Sequence, residues 1–353
     1  MLYNSLEISL ITISSFLSFF ITLVIEKNSV KIFNGALLDQ DFKKPQAFHS
    51  KPVARSGGLA AVISLGVFYI INYYFLEYKY TEFYIIGSFF FFLGFLDDLK
   101  ITINPYIRLI LMVFILSFSI IFFSIQILSL DLLFLNQWLL NNFFSTFFVL
   151  LCFLFVINGA NLIDGFNGLL TIHLIIINFI LLFINLNKGY DALAIILAIQ
   201  IIVLICFLLF NFPKSKMFLG DSGSYLFGSL VVLNIIETNN LNSEISSFFF
   251  CILLFYLFFE VFFSFFRKIL LKKSPLRPDN NHLHMLSFRT LVSLKKFNDC
   301  NYLNSILINS IYLILIIPSV YFQENGVMCK YWFFTLLIIY LIFYYQLQKN
   351  MKK

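Results

Sequence analysis

The chain has 353 residues, 60% of them hydrophobic and 12% charged, with a formal net charge of +6. A soluble chain carries about 25% charged residues, and its apolar residues do not collect in uncharged blocks of the roughly 20 residues that cross a bilayer. This composition excludes a soluble core of stacked helices and predicts an all-α, polytopic integral membrane protein. The five cysteines are scattered and lack CxxC spacing, which argues against a disulfide framework or a thiolate metal site.

The apolar blocks predict eleven transmembrane helices in a single membrane-embedded domain, 1–353: 5–26, 57–76, 82–96, 107–127, 142–160, 168–186, 191–210, 224–238, 245–266, 301–321 and 331–347. The 49 phenylalanines read as lipid-facing surface. The first block carries Glu7 and no basic leader, so it reads as a retained span. The short blocks 82–96 and 224–238 each adjoin a polar motif, which places their ends in a protein-lined polar cavity.

The connection after the first span holds His49-Ser50-Lys51-Pro52-Val53-Ala54-Arg55-Ser56-Gly57-Gly58. Lys51 and Arg55 suit a phosphate, and the glycine pair permits close backbone approach. A cationic flank with helix packing at the glycines is the other reading. After the third span comes Gly94-Phe95-Leu96-Asp97-Asp98-Leu99-Lys100. Carboxylates next to hydrocarbon cost a few kcal/mol each unless they line a cavity or meet a cation, and an adjacent pair suits Mg²⁺. After the fifth span, Asn158, Asn161, Asp164 and Asn167 recur at spacing three among Gly159, Gly165 and Gly168, with no cation. On a helical turn these groups share a face and can read a base or sugar and hold a metal.

After the seventh span, Gly220-Asp221-Ser222-Gly223-Ser224 precedes a helix. Asp221 or Ser222 could be that helix's N-cap. Equally, Asp221 could be a Mg²⁺ carboxylate beside a phosphate-binding helix N-terminus, and the two readings are compatible. The longest polar connection, 267–300, holds Ser274-Pro275-Leu276-Arg277-Pro278-Asp279-Asn280-Asn281-His282-Leu283-His284. Two histidines without a cysteine fit zinc poorly. Arg277, His282 and His284 form either a phosphate-binding arm or a solvated basic loop.

Of the 24 Lys and Arg residues, 18 lie on or beside the connections carrying these motifs and Lys349, Lys352 and Lys353 lie in the C-terminal tail on the same side; only Lys79, Lys188 and Lys330 lie on the other connections. The positive-inside rule makes the first set cytoplasmic, with the N-terminus outside and the C-terminus inside. The net positive charge is then a topology signal and an attraction to anionic lipid, not a nucleic-acid signature. The cytoplasmic segments 27–56, 97–106, 158–167, 211–223 and 267–300 are expected to form an active site.

Taken in order from about residue 46 to residue 288, the patterns HxKPxxRxGG, GFxDD, NxxNxxDGxxGL, GDxGSxxxG and SPxxPDxxHxH resemble the polyprenyl-phosphate N-acetylhexosamine-1-phosphate transferase family. That family is glycosyltransferase family 4, which is related to phospho-MurNAc-pentapeptide transferase. The resemblance implies a bacterial inner (plasma) membrane enzyme with a cytoplasmic active site. It would move N-acetylhexosamine-1-phosphate from a UDP-sugar to undecaprenyl phosphate and release UMP, so starting a lipid-linked envelope glycan. It implies Mg²⁺, with Mn²⁺ as a substitute, and leaves a homodimer open. Its site residues would be Asp97, Asp98 and Asp164 as catalytic groups, Asp221 and Asn161 at the metal, and Lys51, Arg55, Asn158, Asn161, Asn167, Arg277, His282 and His284 on substrate. Glu260, before the basic pair Arg267-Lys268, would be structural. The chain departs from the pattern at Ile101, Asn167 and Met285, which bears on the donor sugar more than on the reaction. A prenyltransferase would need a second carboxylate cluster. A transporter would need repeated halves and charges near the midplane, where only Glu260 lies deep.

Overall fold

The computed structural model describes residues 5–40, 51–76, 80–101, 103–274, 279–297 and 299–351. Within them lie fourteen α-helices and one two-stranded ribbon. The helices are α1 (Ser5–Asn28), α2 (Gly57–Phe75), α3 (Thr81–Asp98), α4 (Pro105–Phe122), α5 (Leu133–Leu139), α6 (Asn142–Ile163), α7 (Leu169–Lys188), α8 (Asp191–Asn211), α9 (Gly220–Leu241), α10 (Ser247–Leu253), α11 (Phe255–Leu270), α12 (Leu283–Ser293), α13 (Cys300–Tyr321) and α14 (Gly326–Asn350). The ribbon pairs β1 (Leu38–Asp39) antiparallel with β2 (Val53–Ala54).

Local chemistry sets many of the helix starts. Asn104 accepts from the Tyr106 N–H with Pro105 at the first helical position of α4, and Asn141, Asp299 and Asn325 cap α6, α13 and α14 in the same way. Among the described residues, eight helices are long and apolar enough to cross a membrane, and the bent pair α10–α11 makes a ninth span if taken as one. The remaining two of the eleven expected spans, α3 and α9, carry polar residues and pack against each other. Helix α9 is buried along almost its whole length, against α2, α3, α6 and α7. A polar helix is tolerated at membrane depth when protein, not lipid, surrounds it. Asn234 of α9 donates to Gln200 of α8 (2.7 Å) and Asn178 of α7 (3.0 Å), and Gln200 donates back to Asn234 (3.2 Å). Such interhelical amide bonds fix how the three helices sit on one another.

The structure differs from the sequence reading at three places. Helix α4 ends at Phe122, and the following connection contains the short α5, with Leu133, Trp138 and Leu140 exposed. The block at 245–266 is broken between α10 and α11, with a bend of 75°. The 267–300 connection is not only loop, because α12 folds within it.

Candidate active site

Backbone bonds knit the first and fourth motifs together before any side chain is considered. The Phe218 N–H donates to Ala54 O (2.9 Å), the Gly57 N–H to Phe218 O (2.9 Å) and the Gly58 N–H to Leu219 O (2.8 Å). A Cβ on Gly58 would stand 2.3 Å from Ser222 Oγ, so only glycine allows α2 to start this close to α9. Gly220 turns the chain into α9 at φ +79°, and a Cβ there would stand 2.5 Å from Asp98 Oδ2.

That proximity reveals the role of Asp98. Its carboxylate is 1% exposed and accepts from the backbone N–H groups of Asp221 (3.0 Å) and Ser222 (2.9 Å) and from Ser222 Oγ (2.6 Å). The cap of α9, expected from Asp221 or Ser222, is therefore supplied from α3, where a carboxylate also complements the positive end of the α9 dipole. The Asp221 side chain is left to face the site, a quarter exposed. Asn161 of α6 donates to its Oδ1 (3.0 Å) and also reaches Ser224 Oγ (3.1 Å).

Two guanidiniums flank Asp221. Arg55 donates Nε and Nη2 to Asp39 (3.0 and 2.7 Å), and its Nη1 lies 3.6 Å from Asp98 and 3.8 Å from Asp221. Arg108 donates to Asp97 (2.7 Å) and lies 4.0 Å from Asp221 Oδ2. Burial opposes the Arg55 charge, but Asp221, Asp98 and Asp39 outweigh it and hold the guanidinium above its usual value. Asp164 ends α6 beside this group, and burial, with the Asp221 and Asp98 charges adding to it, pushes its carboxyl up to about 8. Among the described residues, five carboxyl groups thus meet two guanidiniums, an imbalance that a bound cation would relieve.

Among the described residues, no three His, Cys, Asp or Glu side chains form a metal cage. Mg²⁺ commonly takes one or two carboxylates and fills its octahedron with water and substrate phosphates. The exposed edge of Asp221 would suit that ion, and Asn161, whose Nδ2 is engaged by Asp221 and Ser224, would have Oδ1 to offer it.

The sequence-predicted residues divide between this site and others. Asp97, Asp98, Asp164, Asp221, Asn161 and Arg55 come together. Lys51 is exposed just before β2. Asn158 turns its amide back to Leu154 O of its own helix (2.7 Å). Asn167 donates its side chain to Pro213 O (2.9 Å) and its N–H to Asn301 (2.8 Å), fixing the loop before α7. Arg277 and His49 lie outside the described residues.

His282 and His284 belong to a second cluster, built on α11, α12 and α14. Both are buried. His282 sits between two acids, Nδ1 3.0 Å from Glu260 and Nε2 3.2 Å from Asp279. Glu260 also accepts from the Leu283 N–H at the start of α12 (3.1 Å) and from Tyr340 Oη of α14 (2.6 Å). Arg267 donates to both oxygens of Asp279 (3.1 and 2.9 Å). His284 Nδ1 meets Tyr256 Oη (3.2 Å), and burial drives this imidazole down to about 3, so it is neutral. The His284 ring stands edge-on to Phe166, 5.9 Å between centroids, which joins the arm to the loop after α6.

Sequence reasoning missed Arg108 and Asp39 as site residues. Arg108 carries one usable signal: a cation in the first turn of a helix opposes the dipole and calls for an acid partner. Nothing in the spacing of Asp39 marks its pairing with Arg55.

Fold and site together define a polytopic membrane protein with an acidic, arginine-flanked site at one end of its bundle. Residues 80–239 match the family model described as Glycosyl transferase family 4. The undecaprenyl-phosphate alpha-N-acetylglucosaminyl 1-phosphate transferase of Thermotoga maritima is 29% identical over 192 residues, 54% of this chain and 55% of that protein. A Bacillus subtilis protein named "Probable undecaprenyl-phosphate N-acetylglucosaminyl 1-phosphate transferase" is 25% identical over 75% of this chain and 72% of its own length. The phospho-N-acetylmuramoyl-pentapeptide-transferase of Dictyoglomus turgidum is 26% identical over 65% of this chain and 76% of that protein. The chain thus spans about half the length of the Thermotoga relative. These matches bear out the resemblance carried by the five motifs.

Proposed function

We propose that this protein transfers a sugar-1-phosphate, of the N-acetylhexosamine type, from a UDP-sugar to a polyprenyl phosphate such as undecaprenyl phosphate, and so starts a lipid-linked envelope glycan. The observation that carries the proposal is the meeting of Asp97 and Asp98 from α3, Asp164 from the end of α6 and Asp221 from α9 around Arg55 and Arg108. The names of the relatives supply the sugar and the acceptor. The lysine and arginine asymmetry supports a cytoplasmic site in the inner membrane.

In the reaction, an oxygen of the lipid phosphate attacks the β-phosphorus of the UDP-sugar. A P–O bond forms, the bond between the β-phosphorus and the α-phosphate oxygen breaks, and UMP leaves with that electron pair. Phosphoryl transfer rests on positioning and charge neutralisation. Mg²⁺ would be held by Asp221 and Asn161 and would supply neutralisation of the diphosphate. Arg55 and Arg108, anchored by Asp39 and Asp97, present their remaining N–H groups to phosphate oxygens. The lipid phosphate has a second pKa near 6, so it arrives largely dianionic, and Asp97 with Arg108 has to orient it more than deprotonate it. Each buried CH₂ holds the acceptor in lipid by about 0.8 kcal/mol, which is why such an enzyme works within the membrane.

The test is UMP release from UDP-N-acetylhexosamine in membranes supplied with polyprenyl phosphate. Activity is expected to vanish with chelator, return with Mg²⁺, and be absent in Asp221→Ala protein that retains the wild-type thermal transition. Wild-type UMP release by that variant would remove the assignment.

A further inference from the structure

A cavity of about 160 Å³ lies between α10, α11, α12, α13 and α14. No charged side chain lines it, and its walls include Phe255, Ile308, Ile316, Leu336 and Phe343. It is graded in depth. Leu307 of α13 and Phe343 of α14 are 40% and 44% exposed, whereas Ile316 and Leu336 on the same two helices are 1% and 3% exposed. Both helices are membrane spans by length and hydropathy, so the mouth opens on hydrocarbon.

We propose that this cavity holds a short segment of one acyl chain of a bilayer phospholipid, entering between α13 and α14. An apolar cavity of about 150 Å³ stays dry and takes up an apolar guest, so water does not fill this one. Left empty, its walls would lose their dispersion contacts on one side. At this depth the adjoining phase is lipid chain, and a chain entering past Leu307 and Phe343 restores those contacts. The acceptor's prenyl tail fits less well, because neither Asp221 nor any other acid or arginine of the active site is among the walls. A cavity serving the acceptor would continue from the reacting phosphate, and this one shares no wall residue with the acidic cluster.

The position gives the chain a structural task. Tyr256 and Tyr340 line the cavity, and their hydroxyls bond His284 and Glu260. The guest therefore braces the two tyrosines that seat α12. The site stands independently of the reaction proposed above.

The experiment uses the full-length protein in liposomes doped with phosphatidylethanolamine carrying a diazirine midway along one acyl chain, irradiated and mapped by peptide mass spectrometry. Ile316 and Leu336 are expected to be labelled along with the exposed residues, and Leu336→Phe, which fills the cavity, is expected to remove the label from Ile316. Surrounding lipid alone would label only exposed residues such as Leu307 and Phe343, and that outcome overturns the proposal. So does labelling of Ile316 and Leu336 by a diazirine polyprenyl phosphate but not by the phospholipid probe. Wild-type labelling decides the matter even if the filled variant does not fold.

Discussion

The acidic end of α3, α6 and α9 and the arm at α12 use the same kinds of residue to opposite ends. Around Asp221, five carboxyl groups face two guanidiniums, and Asp221 itself is a quarter exposed. In the arm, Glu260 accepts from His282, Leu283 and Tyr340, and Asp279 is matched by Arg267 and His282. Among the described residues, one cluster holds more carboxyl groups than cations. The other is largely closed on itself, though the buried His284 Nε2 and Arg267 Nε make no hydrogen bond within it. The aspartate motifs leave Asp221 facing the site, whereas the described groups of the histidine-rich motif bond mostly to one another.

Asp98 tests the first half of that contrast, and the largest effect is expected there. Within the acidic cluster it is the one acid whose bonds are made to the backbone start of α9. Hydrogen bonds to charged groups contribute about 1.5–3 kcal/mol each, and Asp98→Ala removes three. A loss of roughly 3 kcal/mol or more is expected, read as a lower thermal transition, together with loss of UMP release because Asp221 is no longer held. Asp98→Asn keeps an acceptor and should recover part of the stability. An unchanged transition in the alanine variant would return Asp98 to the group of acids that serve the ligand.

The contrast also explains what could be read from the sequence. The spans and the convergence of Asp97, Asp98, Asp164 and Asp221 were legible, because hydrophobic length and the clustering of acids at span ends are local signals. The Asp98 cap was not, since a residue on α3 satisfying the N–H groups of α9 is a tertiary fact that no spacing encodes. Nor was the break between α10 and α11, where no proline or glycine marks the bend. There α11 packs on α6 so closely that a Cβ on Gly159 would stand 2.0 Å from Leu257 O. That tilt also carries Glu260 to His282 and Tyr340, so a residue read as structural proves to be the seat of the arm.

Glu260→Ala tests the closed cluster, with an intermediate effect. It strands His282 Nδ1, the Leu283 N–H and the Tyr340 hydroxyl in a buried setting, and each unsatisfied group costs about 1–3 kcal/mol before relaxation. Glu260→Gln keeps an acceptor for His282 and Leu283 and is expected to stay close to wild type. The readouts are the thermal transition and the KM for UDP-sugar, which should rise in the alanine variant if α12 no longer sits against Phe166. Loss of turnover with the fold and KM intact would instead make Glu260 a participant in the chemistry, and the arm would not be closed.

The smallest effect is expected at Asn158, which separates motif membership from use. The third motif supplies four polar residues, but the structure spends them differently: Asn161 faces Asp221, Asp164 joins the acids, Asn167 braces the loop, and Asn158 bonds to Leu154 O one turn back. An amide folded onto its own helix loses little on removal, and substitutions of this kind stay within about 0.5 kcal/mol. Asn158→Ala should therefore change KM and kcat by no more than about twofold, the equivalent of that energy. A tenfold rise in KM with unchanged stability would mean that the amide leaves Leu154 to meet the donor, and the acidic site would then extend one helical turn deeper along α6.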